Sequence, residues 1–120
     1  MTASGTAAYA HHPDLPPLVA VAVDAAQRAG FDQSCLPEQG DLLRVLARGI
    51  GDGVIGETGT GYGVGLAWLA TGAHPAARLV SVERDPDRTA AARASATSRR
   101  WSRVTGCAPA GWSCSTTSPR

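Results

Sequence analysis

Lysine is missing from this chain, and beyond Asp87 so is every carboxylate. The first absence concerns codons rather than chemistry: all eleven basic residues are arginine, in a chain rich in Ala, Gly and Pro, as a GC-rich coding sequence would give. The second is local. Residues 1–87 hold all ten Asp and Glu with five Arg, whereas residues 88–120 hold six Arg and no acid. The end of the chain can therefore offer neither a carboxylate general base nor carboxylate ligands for a metal. Cysteine is scarce as well. Cys35, Cys107 and Cys114 are an odd number at unrelated spacings, which excludes a disulfide framework and a paired CxxC zinc site, so they read as free thiols. No apolar run approaches the ~20 residues that span a bilayer, so no membrane partner is expected. The N-terminus shows neither the basic start and apolar core of a signal peptide nor an Arg-rich transit peptide, and the expected location is cytoplasmic.

At 120 residues the chain has the size of one domain but is short for a nucleotide-binding α/β enzyme with both a cofactor half and a substrate half. Residues 1–14 are small, polar and aperiodic and read as a flexible arm. The adjacent His11 and His12 have no further ligand at a usable spacing and read as a solvated pair, so no metal site is expected. Asp14, Pro16 and Pro17 open a helix that runs to about Gly30. Leu18–Val23 alternates and would also suit a strand, but its continuation into Asp24-Ala-Ala-Gln-Arg-Ala favours helix. Pro37 and Glu38 open a second helix. In it Leu42, Leu43, Val45, Leu46 and Ile50 recur at helical spacing, so one face is expected in the core.

Gly49, Gly51 and Gly53 end that pattern, and Val54-Ile55-Gly56-Glu57 suits a short buried strand. Val64–Ala70 is helical by its Ala and Leu content and stops at Gly72, after which Arg78–Glu83 reads as a second strand. Residues 53–83 thus form a β-α-β unit. Asp85 can cap a further helix with Pro86 at its first position, running to about Thr97. From Ser98 the periodicity stops.

The informative string is Glu57-Thr-Gly59-Thr60-Gly61-Tyr-Gly63-Val-Gly65, at a strand-to-helix turn, with Glu83 ending the next strand. Glycines let the backbone turn sharply and approach a cofactor, and the helix that follows presents free N–H groups and the positive end of its dipole. An acid about twenty positions on, at the tip of the neighbouring strand, can accept from ribose hydroxyls. The dinucleotide fingerprint G-x-G-x-x-G fails, because its last glycine would fall on Val64, Leu66 or Trp68. That disfavours an NAD-dependent oxidoreductase fragment. The pattern present, E-x-G-x-G-x-G, suits a cofactor with a positive amino group and no pyrophosphate, S-adenosylmethionine (SAM).

PEQGDLLRVLARGIGDGVIGETGTGYGVGLAWLA followed by LVSVERD resembles class I SAM-dependent O-methyltransferases of the catechol O-methyltransferase-like group, over roughly residues 35–95. The resemblance implies an α/β, Rossmann-like methyltransferase fold, here its N-terminal half with flanking helices, and a small-molecule methyl acceptor. It implies that Glu57 lies near the methionine end of SAM, that Gly59, Thr60, Gly61 and Gly63 form the turn beneath methionine and ribose, and that Glu83 binds the ribose hydroxyls. Glu38 would line the mouth of the site. Gly56 departs from the bulky aliphatic residue often found before the motif acid.

The family continues with an acidic adenine loop, a fourth strand ending in catalytic or metal-binding carboxylates, and further strands. Here the chain reads SATSRRWSRVTGCAPAGWSCSTTSPR. The organisation expected is therefore an arm over 1–14, a partial SAM-binding domain over 15–97 and an irregular basic tail over 98–120, with no catalytic residue assignable. A shift of reading frame near residue 95 accounts for the loss of acids and the sudden Cys, Ser, Trp and Arg. The other readings are a surface segment, or a nucleic-acid arm using Arg99, Arg100, Arg103 and Trp101, which four tail arginines support only thinly. A parallel sheet cut short would leave an exposed edge open to self-association. A SAM-binding or interaction module without turnover is the main functional alternative.

Overall fold

The computed structural model describes residues 4–95 and the pair 113–114. Helix α1 spans Pro17–Arg28, with Pro17 at its first position, where a missing N–H costs nothing. Leu18, Val19, Ala22, Val23 and Ala26 make one buried stripe. Gly30 ends the helix in the left-handed region at φ 65°. There the Gly30 N–H donates to the Gln27 carbonyl and the Phe31 N–H to the Ala26 carbonyl. This is the Schellman pairing, and it turns Phe31 back onto the core.

Helix α2 covers Pro37–Gly49, and its entry is closed by Gln39 Oε1 accepting from the Leu36 N–H at 2.8 Å. Strand β1, Val54–Thr58, leads through the glycine turn into α3, Val64–Gly72, and then β2, Arg78–Glu83. Helix α4, Pro86–Ser95, is capped by Asp85, whose Oδ1 accepts from the N–H groups of Asp87 and Arg88 at 2.9 and 3.3 Å. A two-residue strand β3, Ser113–Cys114, lies within the stretch expected to be irregular. The sheet order is β1-β2-β3, with β1 and β2 parallel and β3 antiparallel to β2.

Helix α3 is the centre of the molecule, buried at Val64, Leu66, Ala67, Trp68 and Leu69 with α1 and α2 packed against it. Ile55 and Glu57 of β1 share a face with Leu79, Ser81 and Glu83 of β2, and Leu79 and Ile55 join this helical core. On the other face Val54 is 60% exposed. Parallel strands are ordinarily covered on both faces. The strand expected to be buried at 54–57 is thus exposed on one face, and among the described residues it is an edge strand paired with β2 alone.

Two other expectations are corrected. Of the large residues of helix α2 only Leu43 turns toward the core, and the closest contacts are made at glycines: a Cβ on Gly40 would fall on the Trp68 indole, and one on Gly72 would strike the Arg44 carbonyl. Backbones that approach so closely leave no space for a leucine at the contact. Ala47 is buried and Leu43 half-buried against the core, whereas Leu42, Val45, Leu46 and Ile50 are 52–59% exposed. The segment read as a flexible arm is folded from residue 4 on. Ala7–His11 forms a 3-10 helix, and Tyr9, only 3% exposed, enters the core. Thr6 Oγ1 hydrogen-bonds to the Phe31 carbonyl and to Ser34 Oγ, and the Trp68 Nε1–H donates to the Tyr9 hydroxyl at 2.9 Å. One aromatic side chain with a satisfied hydroxyl recovers by burial what the small residues around it could not. No helix among the described residues is long and apolar enough to cross a membrane. The tail expected over 98–120 lies, apart from β3, outside the described residues.

Candidate cofactor-binding site

The turn between β1 and α3 is built on three glycines with positive φ: 80° at Gly59, 55° at Gly61 and 88° at Gly63. Side chains rarely tolerate this region, which is why glycine recurs at alternate positions. The turn is anchored at both ends, the Gly59 N–H donating to the Val82 carbonyl at 2.7 Å and the Gly63 N–H to the Thr60 carbonyl at 2.9 Å. Its middle is held by an acid. Glu83, buried at the end of β2, accepts from the Gly61 N–H through Oε2 at 2.8 Å and from the Asp85 N–H through Oε1 at 3.0 Å.

Glu57 stands at the end of β1, beside Ser81 in the parallel register. The Ser81 hydroxyl donates to Glu57 Oε1 at 2.7 Å and lies 2.5 Å from the Thr60 hydroxyl. A Cβ on Gly65 would sit 3.2 Å from Glu57 Oε2, so the second carboxylate oxygen rests on the first turn of α3. Burial pushes the Glu57 carboxyl up to about 7; the Ser81 hydrogen bond pulls the other way, and the nearby Glu83 adds to the rise.

Glu57 and the turn residues Gly59–Gly61 face a cleft of about 130 Å³ that Phe31, Ser34, Cys35, Leu43, Tyr62, Val64 and Gly65 also line, while Gly63, Ser81 and Glu83 stand behind its surface. Phe31 reaches the cleft through the α1 terminus; its ring lies 5.1 Å from that of Tyr62, and a Cβ on Gly61 would come within 3.1 Å of it. The Arg88 guanidinium sits 5.0 Å over the same ring. Cys35 approaches the Tyr9 hydroxyl at 3.7 Å, and burial pushes its thiol up. The cleft is smaller than the ~300 Å³ at which ligand pockets usually begin, so what exists here is part of a wall.

Six of the seven residues expected at the site, Glu57, Gly59, Thr60, Gly61, Gly63 and Glu83, come together at this turn. Glu38 does not. It is exposed on the first turn of α2, with its carboxylate 4.0 Å from His12 Nε2, and is not among the cleft residues. His12 is exposed, as is His11, in keeping with a solvated pair. Sequence reasoning missed Ser81 and the 31–35 wall. Gly30 followed by an aromatic residue was the available signal for Phe31; no local pattern marks Ser81.

No protein-family model and no curated protein matches the sequence. Solved structures do match. Cofactor-bound Rv0187 from MTB has a TM-score of 0.67 at 30% identity, covering 82% of this chain and 46% of its own. The O-methyltransferase TomG from Streptomyces achromogenes, involved in tomaymycin synthesis and solved with SAM, has a TM-score of 0.67 at 24% identity, covering 85% and 47%. An O-methyltransferase from Bacillus cereus, in complex with S-adenosylhomocysteine (SAH), has a TM-score of 0.65 at 21% identity, covering 86% and 48%. The chain spans about half the length of these proteins. Parallel β1 and β2 joined through α3, with the glycine turn at the C-terminal end of β1, give this chain the N-terminal half of the Rossmann-like methyltransferase fold.

Proposed function

We propose that this chain is the cofactor-binding half of a SAM-dependent O-methyltransferase acting on a small molecule. The observation that carries the reading is the glycine turn pinned by Glu83 at Gly61 and flanked by Glu57, in a fold shared with proteins solved with SAM or SAH. The residues suit the cofactor by their chemistry. Glu57 offers an anion for an ammonium group, Glu83 an acceptor for ribose hydroxyls, and at Gly61 any Cβ would press on Phe31 and narrow the cleft. When bound, SAM supplies a methyl group on a sulfonium. The chain's own part is to hold and orient: Gly59, Thr60, Gly61 and Gly63 form the floor, and Phe31 and Tyr62 shield one side from water. We take the cofactor unit as 15–97, with the folded segment before it packed alongside and a basic tail at 98–120. A cytoplasmic location goes with this reading, and the open edge of β1 is where self-association would occur.

A module that binds SAM without turnover is the second reading, favoured by the lack of any Asp or Glu within residues 88–120. Methyl transfer requires an acceptor held in line and a group to activate its oxygen. Calorimetry with SAH, SAM and NAD tests the cofactor assignment: SAH and SAM should bind weakly and NAD not at all. Tighter binding of NAD than of SAH would overturn it. Transfer of labelled methyl to catechols and phenols separates the two readings. Robust transfer by the purified chain would remove the second, and binding without transfer would favour it.

A further inference from the structure

We propose that Ser81, backed by Thr60, is the positioning residue for Glu57, holding its carboxylate in the form and orientation that receive the ammonium end of the cofactor. The inference rests on the SAM-binding reading and extends it to two hydroxyls for which that reading has no use. Ser81 is fully buried at mid-strand in β2, where a β-branched or aliphatic side chain would pack better, and Thr60 is buried in the turn. Each hydroxyl has one proton. If Ser81 gives its proton to Glu57 Oε1 at 2.7 Å, the 2.5 Å contact with Thr60 must be donated by Thr60. The direction of the relay is then fixed, from Thr60 through Ser81 to Glu57, and it favours the ionised acid. With Oε1 held by Ser81 and Oε2 against the first turn of α3 at Gly65, the carboxylate has one orientation.

The surroundings work against that charge. Burial disfavours it, Glu83 on β2 repels it, and Cys35 in the opposite wall and Tyr62 in the turn bring no positive charge. The first turn of α3 carries no charged side chain, only the positive end of its dipole. Hydroxyl donation is thus the main side-chain interaction that favours the ionised form of Glu57, and it passes through the same turn that places Gly61 on Glu83. Residues 60 and 61 connect one to each carboxylate, so a single turn sets both.

The experiment measures SAH affinity by calorimetry from pH 5.5 to 8.5 in the natural chain and in Ser81→Ala, Thr60→Val and Glu57→Gln. In parallel, the Glu57 carboxyl is titrated by carbon NMR in the ligand-free proteins. In the natural chain affinity should rise through about pH 7 and level off. In Ser81→Ala the rise should move to higher pH. A displacement of about one unit would lower affinity roughly fivefold at pH 7 while leaving the two proteins much closer at pH 8.5. Thr60→Val should shift the profile the same way by less, and Glu57→Gln should flatten it. A Ser81→Ala protein that is uniformly weaker with an unmoved profile would overturn the proposal, because lost packing alone acts equally at every pH. If the natural chain binds no SAH, the SAM reading fails instead. The ligand-free titration still decides the relay, since an unmoved Glu57 pKa in Ser81→Ala would refute it.

Discussion

Gly40 and Gly49 lie in one helix, and adding the same methyl group should shift stability in opposite directions. By helix propensity alone Gly→Ala stabilises by about 1 kcal/mol at an interior position. At Gly49, the last residue of α2, nothing lies within 4 Å of the new Cβ, so Ala should gain up to about 0.5 kcal/mol, less than at an interior position. At Gly40 the Cβ falls on Nε1, Cδ1 and Cε2 of Trp68. That ring has little freedom to retreat, being 5% exposed and tied by its Nε1–H to the Tyr9 hydroxyl at 2.9 Å. Overpacking of this kind costs about 1–3 kcal/mol, and breaking the buried hydrogen bond about 1 more. Setting about 1 kcal/mol of propensity against these leaves Gly40→Ala less stable by about 1–3 kcal/mol. Urea unfolding followed by far-ultraviolet circular dichroism measures both variants, and each kcal/mol should also move the thermal midpoint by about 4–8 °C in a domain of this size. Equal stability of the two variants would refute the reasoning, since α2 would then not rest on Trp68.

Glu57→Gln should stabilise the ligand-free protein at pH 8. The folded-state pKa of about 7 lies above the unfolded value, so the fold binds more protons between them and loses stability as pH rises from about 4.5 to about 7. The neutral side chain removes that slope and should gain up to about 3 kcal/mol at pH 8, and parallel pH profiles for the two proteins would contradict it. Tyr9→Phe keeps the ring but leaves the Trp68 N–H unpaired in the core, and should cost about 1–3 kcal/mol in chemical denaturation; an unchanged midpoint would count against that bond.

The β-α-β unit was legible because its signals are local. Glycines at alternate positions, an acid at each strand end and an apolar stretch between them depend on a few neighbouring residues, and Asp85 with Pro86 marks a helix start in the same way. The surroundings were less so. Periodicity in α2 reveals an apolar stripe but not which side meets a neighbour, and here that was decided by Gly40 and Gly72, which let backbones touch. Tyr9 looked unsupported because its partners, Trp68 and Cys35, are distant in sequence. Ser81 resembles strand filler until the parallel register places it beside Glu57. In each case a contact between remote segments carries the information, and a single sequence does not disclose it.

The packed N-terminal segment has a consequence for the order of folding. Its bond to Trp68 closes a loop of 59 residues, and its bonds to Phe31 and Ser34 close loops of 25 and 28. Closing longer loops costs more chain entropy, and here the receiving surface exists only after α1, the 31–35 wall and α3 have assembled. Residues 4–12 should therefore dock last and detach first, and their amides should exchange with solvent before those of α3. A nascent chain would have to wait for Trp68 before Tyr9 could be buried, so a segment synthesised before its partners is among the last to fold.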